Sequence, residues 1–301
     1  SLSTLSHSRR RAIILLSPSR RRAFPFQLSN FSISHFPIYS PRRSAHDTGM
    51  TRMASFCFLC VALIATGAEA ASPGGTRALD MLCIGNSYTG NLRDMFNPFM
   101  AETSPESHLA YRTPGGCTLS RHVANPAIKE IITSRTWDYV VLQEQSRLPT
   151  FDPKSDMYQK HREAIRTLVD WIRTAGAKPI LYQTWGRRDG DRGSPKRNRD
   201  FDSMQAHLTR AYADAGEETG ARVIPVGQVW QTVRHTDIEL GRELHAKDGS
   251  HASQKGSYLI AATFLRALLS IDASTLTRPP WLTSKEAAIL DNAITQTLAA
   301  N

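Results

Sequence analysis

The chain has 301 residues, of which 41% are hydrophobic and 21% charged, which fits a globular protein and excludes a fibrous or low-complexity one. Its formal charge of +10 points at first to a nucleic-acid partner. The distribution of that charge argues otherwise: residues 1–70 hold nine arginines against Asp47 and Glu69, and so carry +7 of the total, whereas the rest balances 28 basic against 25 acidic residues. A near-neutral body gives little support for a phosphate-binding surface, and no nucleic-acid partner is expected.

Residues 1–49 are rich in Ser, Arg and Pro without helix or strand periodicity, which marks an upstream or disordered segment. Residues 50–70 have the anatomy of a secretory signal. Met50 and Met53 are candidate starts, Arg52 is the positive n-region, Phe56 to Ala65 is an apolar run too short to span a bilayer, and Ala68-Glu69-Ala70 is a cleavage site. The expected product is one domain over 71–301, secreted or periplasmic, with no stable membrane insertion after cleavage. The competing reading is an N-terminal anchor or an organellar transit peptide, because the lead is Arg/Ser-rich and poor in acids. Cys83 and Cys117, the cysteines left after the signal, are either one disulfide or two buried thiols. No C-x-x-C pair or His cluster follows residue 70, so neither a metal nor another cofactor is expected.

From Arg77 onward, short apolar runs alternate with amphipathic segments of helix length. The runs Leu79–Ile84, Tyr139–Leu142, Pro179–Gln183 and Val223–Val226 read as strands, with a weaker one at 108–113. Helices are predicted over about 91–103, 123–134, 156–175 and 201–219. Two more follow, Ser253 to Leu269 and Ser284 to Ala299, separated by Pro279-Pro280. Uniformly apolar strands alternating with helices imply an α/β protein: a three-layer α/β/α sandwich around a parallel sheet of about five strands. Arg187 to Arg199 is the long loop of this body, and such loops are often functional.

Ligands of open α/β sheets bind at the carboxyl ends of the strands. The first strand ends there in Gly85-Asn86-Ser87-Tyr88-Thr89, so Ser87 is either a nucleophile beside a helix N-terminus or a plain N-cap. Asp248-Gly249-Ser250-His251 precedes the apolar helix that starts near Ser253. A carboxylate three residues before an imidazole can fix its tautomer and stabilise imidazolium, which makes His251 a general base for Ser87. Gly115-Gly116 follows the second strand, where backbone amides can face a developing oxyanion or simply make a tight turn. Gln143-Glu144-Gln145-Ser146 ends the third strand and offers side-chain amides to the same oxyanion. Candidate substrate contacts are Asn86, His122 after the Gly-Gly turn, Trp185 as a platform for a sugar ring, and Arg187 as a partner for an acidic sugar; for His122 and the Trp185–Arg187 stretch, structural roles remain open.

The order G-N-S-Y-T, G-G, L-Q-E-Q-S, D-x-x-H resembles the four sequence blocks of the SGNH (GDSL-like) hydrolase superfamily. That resemblance implies a flavodoxin-like SGNH fold, a Ser87–His251–Asp248 triad without cofactor, and an oxyanion hole from the amides of Ser87 and Gly115 or Gly116. Asn86 stands where GDSL members carry Asp, and the third block lacks G-x-N-D. Its LQEQS looks more like the Q-G-E segment of carbohydrate acetylesterases and sialate-type esterases, which implies Gln143 first and Gln145 second as the side-chain donor. The expected activity is a secreted serine esterase acting on an acylated carbohydrate, most simply its O-acetyl groups. The alternatives are a lipase or thioesterase of the same superfamily and a non-catalytic carbohydrate-binding protein on its scaffold.

Overall fold

The computed structural model describes residues 78–300; segment 1–49 and the signal at 50–70 lie outside the described residues. The strands are β1 (Asp80–Ile84), β2 (His108–Arg112), β3 (Tyr139–Leu142), β4 (Lys178–Tyr182) and β5 (Arg222–Ile224), all parallel in the order β2-β1-β3-β4-β5. The apolar runs of the three inner strands β1, β3 and β4 follow from burial on both faces, whereas the edge strand β2 is partly exposed along its whole length. On β1, Met81 and Cys83 enter one core while Leu82 and Ile84 enter the other, because successive side chains alternate across the sheet.

The first core lies under α1 (Ser87–Thr103), α6 (Val226–Thr236), α8 (Gln254–Leu269) and α9 (Ser284–Ala299). The second lies under α2 (Leu119–Val123), α3 (Pro126–Thr133), α4 (Asp156–Thr174) and most of α5 (Phe201–Thr219). The three-layer α/β/α sandwich is therefore as expected. The short helix α7 (Ile238–Glu243) packs against α6. No helix among the described residues is long and apolar enough to cross a membrane.

Three boundaries differ from expectation, each for a local reason. The single helix over 123–134 is two, because Pro126 has no N–H to continue α2; it opens α3 behind the Asn125 cap. The strand expected to reach Val226 ends at Ile224, and Pro225 starts a helix absent from the sequence reading. Val226, Val229, Trp230 and Val233 follow i, i+3, i+4, i+7 spacing and are all fully buried, which is the signal that was there to find. Finally, α1 begins four residues before the expected 91, capped by Asn86.

Cys83 and Cys117 are both free and buried, which selects thiols over a disulfide. Midway along α9, Asp291 borders a cavity of about 430 Å³ that Asp272 also lines. Burial, and then the Asp272 charge, raise the Asp291 carboxyl to about 6. A carboxyl raised on folding favours the native state below its unfolded value of 3.8, and that contribution is lost as pH rises through about 6. Asp291→Asn should therefore stabilise the protein by ~1–2 kcal/mol at about pH 8 and hardly at about pH 4. Urea midpoints at the two pH values check this; equal shifts would show that the carboxyl is not perturbed.

Candidate active site

The strand order reverses on either side of β1, with β2 on one flank and β3 on the other, and that switch opens a crevice at the carboxyl ends of β1 and β3. Gly85 leaves β1 into this crevice in close contact with its neighbours. A Cβ there would stand 2.3 Å from Thr89 Oγ1 and 2.6 Å from Gln143 Oε1, so only glycine fits. Asn86 follows and is the cap of α1: its Oδ1 accepts from the Tyr88 amide at 3.1 Å, and its Nδ2 donates to the Cys117 carbonyl at 2.9 Å. Ser87 is thus the first helical residue rather than the cap, and its hydroxyl is free for another partner.

That partner is His251. Ser87 Oγ lies 2.9 Å from His251 Nε2, and His251 Nδ1 lies 2.6 Å from Asp248 Oδ2. Burial alone would raise the Asp248 carboxyl, but hydrogen bonds from the His251 ring and from the Ser250 and His251 amides outweigh it and bring the group down to about 2. An ionised Asp248 can only accept, so Nδ1 carries the ring proton and Nε2 is left to accept from the Ser87 hydroxyl. The other Asp248 oxygen, Oδ1, takes the Ser250 and His251 amides at 2.9 and 3.0 Å and closes a turn in which Gly249 has φ +68°. The row is hydrogen-bonded from end to end, and it can move a proton from Ser87 to His251.

Other residues hold this row in place, among them Tyr88, Trp230, Asn91 and His161, to which the sequence reading gave no site role. The Tyr88 hydroxyl meets Ser250 Oγ at 2.7 Å, and Trp185 Nε1 donates to the Ser250 carbonyl at 2.9 Å. Tyr88 stacks on Trp185 (4.6 Å, 7°) and Trp185 on Trp230 (4.4 Å, 9°), while Tyr88 meets the edge of the His251 ring at 5.3 Å. Asn91 Oδ1 accepts from the Ala252 amide at 3.3 Å. Glu144, fully buried, accepts the Leu119 and Gln145 amides and the His161 Nδ1–H, and thereby ties the loops after β2 and β3 together.

Four expected roles are corrected. Gln143 does not face the crevice: its Oε1 accepts from the Asn86 and Thr89 amides and the Thr89 hydroxyl, and its Nε2 donates to the Glu144 carbonyl. Two backbone donors on one side of the amide dictate which end is oxygen, and the Nε2 at the other end, with one N–H on the Glu144 carbonyl, belongs to a side chain with no exposed surface. Asn86 is 2% exposed and spent on the cap and Cys117. His122 is equally buried; burial lowers its pKa, and its Nε2–H donates to the Gly85 carbonyl at 2.7 Å. Trp185 has no exposed surface for a sugar, because Tyr88 and Trp230 cover its two faces.

The remaining candidates stay at the surface. Gly115 and Gly116 form an exposed turn closed by the Cys117 amide on the Pro114 carbonyl, with Gly116 at φ +62°. Gln145 Oε1 accepts from the Arg147 amide, which leaves its Nε2 as a donor. The Ser87 amide has no partner among the described residues. Arg187 is 28% exposed and paired to Asp191 at 2.9 Å. Among the described residues there is no group of three or more His, Cys, Asp or Glu able to hold a metal ion.

No protein-family model matches this sequence, and comparison with curated proteins gives no match. Solved structures do match. A DUF4886 family protein from Bacteroides uniformis superposes with a TM-score of 0.62 at 21% identity, over 74% of this chain and 95% of that one. A protein from Slackia heliotrinireducens, described as a candidate SGNH hydrolase, superposes with a TM-score of 0.51 at 27% identity, over 62% of this chain and 97% of that one. With the sheet order, the helical layers and these likenesses together, the chain has the fold of the SGNH hydrolases.

Proposed function

We propose that the protein is a serine esterase, with Ser87 as nucleophile, His251 as general base and acid, and Asp248 as the group that orients and charges-balances the imidazole. The observation that carries this reading is the continuous Ser87–His251–Asp248 row, with a serine released from capping by Asn86. Ser87 attacks the ester carbonyl as its proton passes to His251 Nε2. The same proton then goes to the departing alcohol oxygen, and water repeats the sequence on the acyl-enzyme. The Ser87 amide at the α1 N-terminus, the Gly115 and Gly116 amides and Gln145 Nε2 are the donors proposed for the oxyanion, and loss of one such donor costs about 3 kcal/mol of barrier.

A short acyl group on a polar alcohol fits better than a long alkyl chain. Ser250 and Arg187 line the cavity beside the row together with Arg188, Asp189, Arg192 and Lys247, all polar or charged. O-Acetyl groups on carbohydrate are therefore the proposed substrates. Residues 50–70 are read as an export signal and 71–301 as the working domain, which places the activity outside the cytoplasm.

The test is labelling with a fluorophosphonate probe, read by peptide mapping, alongside turnover of p-nitrophenyl acetate and octanoate. We expect one adduct, on Ser87, that forms in folded but not in denatured protein, and faster turnover of acetate. Folded protein that leaves Ser87 unlabelled would favour the non-catalytic binding scaffold. Preference for octanoate would move the substrate to lipids.

A further inference from the structure

Beside the row lies a cavity of about 340 Å³ whose walls carry Arg187, Arg188, Arg192, Lys247, Asp189 and Asp248. Its volume suits a single sugar-sized unit. The cavity and the row share Asp248, and the two walls are joined directly, because the Arg188 amide donates to the Gly249 carbonyl at 2.9 Å. The far wall is a built structure rather than a loose loop. Asp191, 2% exposed, takes Arg147 Nε at 2.7 Å, Arg187 at 2.9 Å and the Gly193 amide at 3.1 Å, and its own amide bonds to the Asn198 carbonyl. Asn198 in turn donates to Thr150 Oγ1 at 2.8 Å.

The charges on these walls do not cancel. Both carboxylates are engaged: Asp189 with Arg188 (3.1 Å) and Arg242 (3.0 Å), and Asp248 with His251. Arg187 is held by Asp191. Arg192 and Lys247 are exposed at the cavity and have no ion-pair partner among the described residues. Two unpaired, exposed cations at one sugar-sized cavity, beside carboxylates that are already engaged, leave a place for one anion.

From this geometry we propose that the cavity is a subsite for a carboxylate carried by the alcohol part of the ester, as in an acidic sugar bearing an O-acyl group. The assignment to the alcohol side rests on the esterase reading above. His251 must reach the departing oxygen to protonate it, so the alcohol lies along the His251 loop, and Asp248, Gly249 and Ser250 of that loop form the near wall of the cavity.

The experiment compares two acetyl esters that differ in charge alone, para-acetoxybenzoate and para-acetoxybenzamide, in the wild type and in Arg192→Gln/Lys247→Gln. Both substituted side chains are exposed, so the variant is expected to fold. The ratio of kcat/KM for the anionic over the neutral ester should fall about fivefold in the double variant, the effect expected of two solvent-facing charges. The wild-type ratio should also shrink as salt is added, since exposed charges are screened. A ratio that is the same in both proteins, or insensitive to salt, would overturn the proposal. If neither ester is cleaved faster than by Ser87→Ala, the esterase reading fails on its own, and binding decides the subsite. Saturation-transfer NMR with glucuronate against glucose would then have to show glucuronate binding in the wild type that the double variant loses; absent or unchanged binding would reject the subsite.

Discussion

Ser87→Ala is expected to lower kcat for p-nitrophenyl acetate by at least ~10³-fold, with the thermal midpoint nearly unchanged. The first half follows from chemistry: alanine has no oxygen to form the acyl-enzyme, and what remains is polarisation of the carbonyl by the surviving donors. The second half follows from the cap. If Ser87 capped α1, removal of its hydroxyl would cost about 1 kcal/mol of stability. Asn86 performs that task, through the 3.1 Å bond to the Tyr88 amide, so the hydroxyl of Ser87 is not needed to start the helix. Turnover that survives the substitution would remove Ser87 from the mechanism. A clear drop in the midpoint with turnover intact would return it to a structural role.

Glu144→Ala should destabilise the fold by about 3–5 kcal/mol, because it strands the groups that a buried charge had satisfied. The Leu119 amide at 3.0 Å, the Gln145 amide at 2.6 Å and the His161 ring at 3.0 Å all converge on this carboxylate, and none of its surface reaches solvent. Glu144→Gln keeps one acceptor oxygen and should lose less. Chemical denaturation measures both, and a loss below ~1 kcal/mol for the alanine variant would show that the cluster relaxes without cost. Activity should fall as well, since the two loops that Glu144 joins carry Gly115, Gly116 and Gln145.

The inner strands are readable because burial on both faces leaves an uninterrupted apolar run, and β3 matches its expected limits residue for residue, while the edge strand β2, exposed in part, gives the weaker signal. The helix α6 was hidden by adjacency: its first valine continues the apolar run of β5, and only the spacing of Val229, Trp230 and Val233 marks the change of period. The site divides in the same way. Position at a strand end is legible, since turn residues follow apolar runs, but the direction of a side chain is not. Gln143 and Gln145 stand two apart on one loop; the first turns inward to the Asn86 and Thr89 amides and the second stays at the surface. Asn86, His122 and Trp185 turn inward for the same reason, each drawn by a partner 31 to 65 positions away that no local pattern announces. Ser87 was ambiguous beside Asn86 because both residue types cap helices well. The tie was broken by a contact across 164 positions.

That separation sets the order in which function can appear. Ser87 sits at the end of the first strand, whereas His251 enters only with the loop before α8, so a ribosome has finished β1 long before the imidazole exists. Docking of α8 against α1 is what brings the two together, a non-local step of the kind that comes slowly in folding. On the proposed function, recovery of turnover after dilution from denaturant should accordingly trail the recovery of helical signal, because a nascent chain lacking α8 has no helix to dock His251 beside Ser87.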